Sequence, residues 1–463
     1  MGSNRKEKNV EILRGDPKKS ILRMALPIMV TMIITSLYNV VDGIWIAGLG
    51  ESAIAGIGIV TPLWMVINGV SNGLAHGATS AISRFGAADK AKGERAVEQS
   101  LLIYVVGAII LTALLLGILM PYLSYFNISK EANEAAIDYS LPLFGGLISF
   151  TISCGCAGIL RAEGDTKRPM FACSLGVILN ACLDPVFIYT LDMGAAGAAV
   201  STIVTSLISA LIMMYWILVK KDTFYKANPK RLIKPKFEGV IVRDILNTGI
   251  PASMELMMLS LASFFFYSFI RSLGGDFGVS VYSSGYRLYL LNLMPVTAVS
   301  LASVAIIGTH YGAKNIDYVR RTHSFCCAYA SIIGFGVTML LILLSHPAAS
   351  LFALTSDDTR LIDGISDFIK ITAFCIPFLG IGLPSTFMYL GLGKGKYSLL
   401  WTTINEVVCA VPATYLMGFT FGLGLEGVWW GFVIGRGSAC VANFFFARHK
   451  IRQLRGLSIN PLK

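Results

Sequence analysis

Twelve long apolar stretches separate the polar segments of this chain, and they constrain its fold more than any motif does. Each is about 20 residues or longer, which as a helix matches the roughly 30 Å hydrocarbon core of a bilayer. Within a bilayer every backbone N–H and C=O group must be satisfied inside the protein, and a helix does this locally. The sequence therefore predicts an all-α polytopic membrane protein with transmembrane helices at 20–48, 52–82, 96–122, 133–160, 169–191, 195–219, 241–272, 278–309, 319–345, 361–391, 397–421 and 425–447.

The composition argues against a soluble domain and against the common kinds of catalytic site. Of the 463 residues, 55% are hydrophobic and only 14% are charged. The nine cysteines lie inside predicted spans at unrelated spacings, so they indicate neither a disulfide framework nor a metal site. No phosphate-binding loop, HExxH motif or Ser-His-Asp order stands out. We therefore expect no enzyme activity and no cofactor.

The distribution of basic residues predicts the orientation of the chain. Of the 38 Lys and Arg residues, about 32 fall in the two termini and the even-numbered connections, which places both termini in the cytoplasm. The net charge of +11 is explained by this topology signal and by affinity for anionic lipid. We expect a multi-pass protein of the cell membrane with lipids as partners and no nucleic-acid partner, because no basic residues alternate with aromatics on a soluble face.

An internal repeat relates the first six spans to the last six. A shift of 224 residues pairs Pro27 with Pro251, and the offset drifts to 230 where Gly194 meets Gly424. A drifting offset that matches span for span indicates duplication. Because six is an even number, both copies enter the membrane from the same side. We therefore predict two six-helix bundles related by a pseudo-two-fold axis along the membrane normal.

The repeat and the charge pattern together divide the chain into five regions. The segment "KKDTFYKANPKRLIKPKFEGV" is rich in Lys and Pro and has a length that suits a link between two bundles. The predicted regions are a cytoplasmic N-terminal tail, an N-terminal lobe, a cytoplasmic linker, a C-terminal lobe and a cytoplasmic C-terminal tail, at 1–19, 20–219, 220–240, 241–447 and 448–463.

Two carboxylates of the first half, Asp42 and Asp184, lie deep inside predicted spans where no Lys or Arg lies at the same depth. At the repeat offsets they correspond to Phe266 and Thr414, so the architecture itself does not require them. A carboxylate within hydrocarbon costs about 2.5 kcal/mol or more. We expect both acids to bind a cation or a proton. The alternative is that Asn and Thr side chains satisfy them as buried packing groups.

Oxygen-bearing side chains lie near these acids along the chain or on the neighbouring span. Na⁺ takes several oxygen ligands of this kind. A carboxylate pair in a low dielectric also holds one proton, so the residues leave the choice of H⁺ or Na⁺ open. The side chains are Tyr38, Asn39, Asn180, Ser201 and Thr202.

Other residues inside the spans have two interpretations each. Glu255 and Arg287 of the second half lie at depths that allow an ion pair, and pairing is the simpler account of them. Pro27 lies inside the first span, where it is either a simple kink or a hinge that moves Asp42 when the charge of Asp42 changes.

The chain resembles the multidrug and toxic compound extrusion (MATE) family, in its DinF-like prokaryotic branch. The resemblance covers nearly the whole chain and is carried by the two six-span repeats, by "LPIMVTMIITSLYNVVDGIWIAGLG" in the first span and by "RAEGDTKRPMFACSLGVILNACLDPVFIY" around the fifth. It implies a V-shaped secondary antiporter that exports amphiphilic, often cationic drugs while Na⁺ or H⁺ enters.

The resemblance also implies roles for particular residues. It places a first-lobe cation site, with Na⁺ as a possible occupant, at Asp42, Asn180, Asp184 and Thr202. It places Tyr38 and Tyr139 close to that site, and Pro27 at the bend of the first helix. Other branches of the family have essential acids in the second lobe, where this chain has Phe266 and Thr414. That departure favours the DinF-like branch and leaves the role of Glu255 open.

Three other functions would each be expected to show a different feature. A flippase for a lipid-linked oligosaccharide or another lipid would be expected to line its cleft with basic residues, whereas the first half offers two acids. A membrane-embedded enzyme would usually show an acidic metal-binding motif in a polar loop, and a non-transporting scaffold would show no ion-dependent flux. We expect a monomer. The sequence leaves the driving ion and the range of substrates open.

Overall fold

The computed structural model describes residues 2–126, 129–220, 223–233, 237–352 and 359–459. Within this part of the chain there are helices joined by short turns, and no strand. Up to the connecting segment the helices are α1 Gly2–Arg14, α2 Pro17–Ala47, α3 Glu51–Ala88, α4 Lys90–Phe126, α5 Lys130–Gly145, α6 Leu147–Ala162, α7 Lys167–Pro185, α8 Gly194–Met214 and α9 Pro229–Ile233.

Eight helices make up the described part of the second half. They are α10 Gly239–Gly312, α11 Ile316–Leu343, α12 Ser345–Phe352, α13 Thr359–Ala373, α14 Cys375–Gly391, α15 Gly395–Thr403, α16 Val411–Tyr415 and α17 Gly424–Ile459. Short π-helical segments extend several of them, at Val186–Thr190, Tyr215–Val219, Ile404–Ala410 and Leu416–Thr420.

The helices account for all of the predicted spans. Eight continuous helical stretches are long and apolar enough to cross a membrane, and two bent pairs, α5 with α6 and α13 with α14, bring the number to ten. The 74-residue α10 holds two predicted spans, because Gly275 within it has a non-helical backbone. The remaining predicted span, 425–447, lies within α17.

The two halves share the same backbone irregularities. A glycine with positive φ breaks the helix between the first two spans of each half, Gly50 at +94° and Gly275 at +56°, and only glycine adopts such angles readily. The π-helical segments Val186–Thr190 and Leu416–Thr420 lie at the sequence offset of 230. These matches within each half support the duplication that the sequence indicates.

The chain forms two compact units whose boundaries fall inside helices. The first unit comprises residues 1–14 and 26–253, and the second comprises 15–25 and 254–463. The first unit therefore includes the start of α10, and the second includes the start of α2. The predicted linker 220–240 is only partly covered, since 221–222 and 234–236 lie outside the described residues.

The start of α10 packs closely against α3 within the first unit. A Cβ at Gly77 of α3 would lie 2.8 Å from the backbone nitrogen of Gly249, so only glycine fits at this crossing. About two turns further along α3, Arg84 Nη2 lies 2.6 Å from Asp244 Oδ2, with the two side chains 13% and 25% exposed. This partly buried ion pair fixes the same two helices.

The start of α2 is buried within the second unit. Ile21 is fully buried and Met24 is 1% exposed. Lys18 Nζ lies 5.9 Å from the centroid of the Phe325 ring, which is a cation–π distance. These side chains anchor residues 15–25 to the second half of the chain.

The predicted N-terminal tail forms the helix α1, which packs on the first unit. Leu13 is 1% exposed. A Cβ at Gly164 would lie 3.0 Å from Leu13 Cγ, and Gly164 has a φ of +80°. The polar composition of the first 19 residues concealed this buried face.

Glu163 anchors the connecting segment to the first unit. Its Oε1 accepts a hydrogen bond from the N–H of Tyr225 at 2.9 Å, and its Oε2 accepts one from the N–H of Phe224 at 3.0 Å. The side chain is 4% exposed. Burial raises the pKa of this carboxyl to about 8, although the two N–H donors favour the carboxylate.

Above pH 8, where the Glu163 carboxyl is ionised, we expect Glu163→Gln to speed amide hydrogen exchange at Phe224 and Tyr225 by about tenfold, because the amide offers one acceptor oxygen where the carboxylate offers two. Glu94→Gln is the matched control, since Glu94 Oε1 accepts from the N–H of Lys226 at 3.4 Å on the exposed surface. Equal exchange in the two variants would show that Glu163 does not hold the segment.

The raised pKa of Glu163 also predicts that the difference in unfolding free energy between the wild type and Glu163→Gln depends on pH. The native pKa of Glu163, about 8, lies above its ordinary 4.5, so the native state binds more protons than the unfolded state between these values. The free energy of unfolding of the wild type, relative to Glu163→Gln, should therefore fall as the pH rises from about 5 to about 8. Thermal unfolding of the two proteins across this range measures the difference, and parallel profiles would contradict it.

Candidate functional site

A buried polar cluster links α7 and α8 in the first lobe. Asn180 and Asp184 lie one turn apart on one face of α7. Asn180 Nδ2 donates to Asp184 Oδ1 at 2.9 Å and to Ser201 Oγ of α8 at 2.5 Å. Asp184 is fully buried and Asn180 is 3% exposed. The cluster is therefore held within the helix pair.

The second oxygen of Asp184 has no partner. Asp184 Oδ2 is buried and receives no hydrogen bond from any described residue. Asn180 thus satisfies only one half of the carboxylate, which limits the alternative that Asn and Thr side chains fully satisfy the acids. A buried carboxylate oxygen without a donor favours a bound proton or cation.

Helix α2 brings a second carboxylate to this cluster. The hydroxyl of Tyr38 lies within hydrogen-bonding reach of both Asp42, one turn later on α2, and Thr202 on α8. The Asp42 and Asp184 carboxylates are close enough to interact electrostatically. Tyr38 and Asp42 are both partly buried, so the cluster is accessible from the α2 side.

Helix α5 completes the cluster with an aromatic hydroxyl. Tyr139 is partly buried and interacts electrostatically with both Asp42 and Asp184. The structure therefore brings together seven of the side chains that the sequence singles out. They are Tyr38, Asp42, Tyr139, Asn180, Asp184, Ser201 and Thr202.

Asn39 is the one predicted neighbour that stays apart from the cluster. It is exposed and makes no hydrogen bond to the described residues. A helix turns by about 100° per residue, so Asn39 faces away from the direction taken by Tyr38.

The charge of the cluster is uncompensated. Among the described residues, neither Asp42 nor Asp184 forms an ion pair with a Lys, Arg or His side chain, whereas other charged groups of the protein do. The described residues also contain no group of three His, Cys, Asp or Glu side chains arranged for a metal ion. The cluster has the carboxylate and hydroxyl oxygens that can accept a proton or a hard cation.

A contact that the sequence did not indicate ties the end of α2 to the π-helical segment after α7. Tyr189 Oη donates to the backbone oxygen of Trp45 at 2.6 Å, and the two ring centroids are 6.3 Å apart. The π-helical segment shifts the register after Pro185. No periodicity argument from the sequence would have placed Tyr189 on that side.

Helix α2 continues through Pro27 without interruption. The ring of proline removes one backbone hydrogen bond, and Thr31 Oγ1 donates to the carbonyl oxygen of Pro27 at 2.9 Å. A hydroxyl that competes for an i−4 carbonyl in this way bends helices readily. The part of α2 around Pro27, which precedes Asp42 in the chain, is therefore expected to bend readily.

The second lobe has no carboxylate at the matching positions. Phe266 and Phe432, which correspond to Asp42 and Thr202, pack with ring centroids 5.6 Å apart. Thr414, which corresponds to Asp184, is buried and donates to the backbone oxygen of Ala410 at 2.8 Å. An aromatic pair and a self-satisfied hydroxyl thus occupy the place that the cluster occupies in the first lobe.

The predicted pairing of Glu255 with Arg287 is wrong. Glu255 Oε1 accepts a hydrogen bond from Ser398 Oγ at 2.5 Å and lies within hydrogen-bonding reach of Thr402. Arg287 is exposed and forms no ion pair with a described residue. Depth along a helix allows a pair, but the direction in which each side chain points decides whether it forms.

The buried ion pair of the second lobe joins Glu406 and Arg436 instead. Arg436 Nη2 lies 2.5 Å from Glu406 Oε2, with side chains 6% and 9% exposed. The Arg436 guanidinium lies 3.9 Å from the centroid of the Phe432 ring, and Nη1 donates to Tyr289 Oη at 3.2 Å. The charge of Glu406 is therefore balanced within the second lobe.

A model of one protein family matches most of the chain. It is described as MatE and matches residues 27–186 and 251–416, one segment in each half. A similar curated protein is the "Probable multidrug resistance protein NorM" of Thermotoga maritima. It is 25% identical over 423 residues, which are 90% of this chain and 89% of that protein.

Solved structures are similar over almost the whole chain. One shows the outward-facing conformation of a multidrug resistance MATE family transporter of the MOP superfamily, with a TM-score of 0.93, 32% identity and coverage of 97% of this chain and 99% of that one. Another is a MOP superfamily transporter from Pyrococcus furiosus, described by reverse polarity of its binding pocket, with a TM-score of 0.92, 33% identity and the same coverage. Such structures have twelve helices in two bundles, so the predicted fold class is confirmed.

We expect Arg436→Met to destabilise the protein by about 3–5 kcal/mol, because it leaves the Glu406 carboxylate buried and unpaired. The double variant Glu406→Leu with Arg436→Met should recover most of this loss, since it removes both charges. Unfolding by denaturing detergent, followed by circular dichroism, measures the three stabilities. If Arg436→Met were as stable as the wild type, breaking the Glu406–Arg436 ion pair would not destabilise the protein.

Proposed function

We propose, from the premise that this chain belongs to the MATE family of membrane transporters, that it is a secondary antiporter driven by H⁺ or Na⁺. The predicted family is confirmed, and with it the coarser function of a multidrug efflux transporter. The proposed substrates are amphiphilic, often cationic compounds. The proposed exporter acts as a monomer in the cell membrane, with both termini in the cytoplasm.

One observation carries this proposal: the uncompensated carboxylate pair of the first lobe. Asp184 is fully buried with one oxygen lacking a hydrogen-bond donor, and Asp42 lies within electrostatic reach. Two like charges that interact in this way repel each other, and the low dielectric of a protein interior strengthens the repulsion. A proton or Na⁺ relieves this repulsion, so the binding of the ion changes the energy of α2 relative to α7.

The ligand set suits either ion. Two carboxylates and the hydroxyl oxygens of Tyr38 and Thr202 offer oxygen atoms of the kind that hard cations take, while Asn180 turns its Nδ2 to Asp184. The same carboxylates, held in a low dielectric, would share a proton. The site therefore supports coupling, and the identity of the ion is a matter for measurement.

The coupling step that we propose is a bend of α2. Ion binding removes the repulsion between Asp42 and Asp184, and α2 then bends near Pro27, where one backbone hydrogen bond is missing. The bend closes the drug-binding space beside Tyr38 and Tyr139, which are partly buried aromatic side chains. Ion and drug then exclude each other, which makes the cycle an exchange.

Substrate efflux from proteoliposomes, with H⁺ and Na⁺ gradients imposed separately, tests the antiport directly. We expect one of the two gradients to drive export of a cationic dye, and no export without a gradient. Export that is equal under both conditions and in the absence of any gradient would contradict the antiport.

Variants of the two acids identify the site in the same assay. Asp42→Asn and Asp184→Asn should each abolish gradient-driven efflux, because they keep the side-chain volume and remove the charge that binds the ion. Thr414→Ala, at the matching position of the second lobe, should stay within about twofold of wild type, since Thr414 bonds only to its own helix. Normal efflux by either Asn variant, with folding verified by gel filtration, would place the coupling elsewhere.

Mutual exclusion of ion and drug has its own signature. By linkage, the ion weakens drug binding by the same factor by which the drug weakens ion binding. Pro27→Ala should keep the ion affinity within a few-fold and reduce this factor, because α2 regains the missing backbone hydrogen bond. Equilibrium dye binding, titrated across pH and Na⁺ concentration in both proteins, measures the factor. An unchanged factor in Pro27→Ala would remove the bend from the mechanism.

A further inference from the structure

Arg161 is a partly buried arginine that forms no ion pair with any described residue. It lies in the last turn of α6, within the stretch "RAEGDTKR" that the sequence marks as a charged cytoplasmic connection. The structure instead turns its side chain into the first lobe. Its Nε is buried and has no hydrogen-bond partner among the described residues, while the residue as a whole is only partly buried.

The surroundings of Arg161 are neutral or repulsive. The groups in electrostatic contact with the guanidinium are the thiols of Cys154 and Cys173, the phenol of Tyr104 and the ring of His76. All nine cysteines are free. Within the described part of the chain no Asp or Glu forms an ion pair with Arg161, although Arg84, Arg168 and Arg436 each have one.

Tyr104 offers a second unused donor at the same place. The side chain is fully buried, and its hydroxyl has no hydrogen-bond partner among the described residues. The ring lies directly over Gly155 of α6, where a Cβ would collide with it. The phenol is therefore held in position, within electrostatic range of the guanidinium, while its polar end remains unsatisfied.

Among the described residues, the charge of Arg161 is compensated only in part. Arginine does not lose its proton in proteins, so it does not neutralise itself as a buried lysine does. The negative end of the α6 dipole offsets part of the charge. A partly buried charge with an unused Nε–H donor remains. This donor and the unused Tyr104 hydroxyl point to an anion as the missing partner.

We propose that Arg161 and Tyr104 form a binding site for an oxyanion of the phosphate class, either the headgroup of an anionic lipid or inorganic phosphate. The planar guanidinium donates two parallel hydrogen bonds to such an oxyanion, and the Tyr104 hydroxyl adds a third. The partly exposed edge of Arg161 provides access. The site lies among α3, α4, α6 and α7 and is opposite in charge preference to the Asp42 and Asp184 cluster, so it does not depend on the proposed antiport.

The test uses the full-length protein, delipidated in detergent or placed in nanodiscs. Inorganic phosphate is titrated at constant ionic strength while thermal unfolding is recorded. In parallel, native mass spectrometry counts the lipids retained from phosphatidylcholine nanodiscs with and without phosphatidylglycerol. The variants are Arg161→Gln, Tyr104→Phe and, as a matched control, Arg243→Gln, which removes an exposed arginine at the start of α10.

We expect the affinity for the anion to fall about tenfold or more in Arg161→Gln and several-fold in Tyr104→Phe, and to be unchanged in Arg243→Gln. Stabilisation by phosphate in detergent identifies free phosphate as the ligand. Retention of phosphatidylglycerol alone, with no effect of phosphate, identifies the lipid headgroup. Both outcomes support the site if Arg161→Gln weakens them.

Two outcomes would overturn the proposal. One is a wild-type protein that binds neither phosphate nor phosphatidylglycerol above the level of phosphatidylcholine. The other is equal binding by the wild type and the site variants, which would assign the effect to the general positive charge of the surface. If Arg161→Gln does not fold, Tyr104→Phe decides the matter, because it keeps the ring over Gly155 and removes only the hydroxyl.

Discussion

A charged side chain buried within a membrane-spanning helix must find a partner, and this requirement organises the polar chemistry of both lobes. Glu406 has a permanent partner in Arg436, and Glu255 has hydroxyl groups. Asp184 has a donor for one oxygen and none for the other. Among the described residues, Asp184 is thus a fully buried carboxylate with one oxygen left open, which is the property that our proposed ion coupling needs.

The two halves share the same backbone irregularities but differ in the side chains that they carry at matching positions. Positive-φ glycines at Gly50 and Gly275 and the π-helical segments at the offset of 230 repeat from one half to the other. The side chains at the matching positions have diverged: Asp42 lies near the Asp184 carboxylate, whereas Phe266 packs on Phe432. The geometry of the helices was thus retained while the paired acids are found in the first half and not at the matching positions of the second.

The fold and the grouping of the first-lobe acids were predictable because they depend on patterns that are visible in the sequence itself. Span length and the drifting repeat predict two six-helix bundles, and a lone acid in an apolar run, such as Asp42 or Asp184, is visible by inspection. The pairing of Glu255 was not predictable, since depth along a helix does not give the direction of a side chain. Tyr189 was missed because a π-helical segment shifts the register. The predicted span ends at 160, so the sequence places Arg161 in a connection between spans. Its partial burial depends on the last turn of α6, which extends past that boundary.

The boundaries of the compact units have a consequence for how the protein is made. Residues 15–25 belong with the second unit, whose other residues begin at 254, and residues up to 253 belong with the first. A ribosome releases the start of α2 long before its packing partners exist, so this segment has to wait in the membrane until most of the chain has been inserted. A gene fragment that ends before α10 would also lack the helix that packs on Gly77. Each half of the present chain thus supplies a helix start that packs within the compact unit formed mainly by the other half.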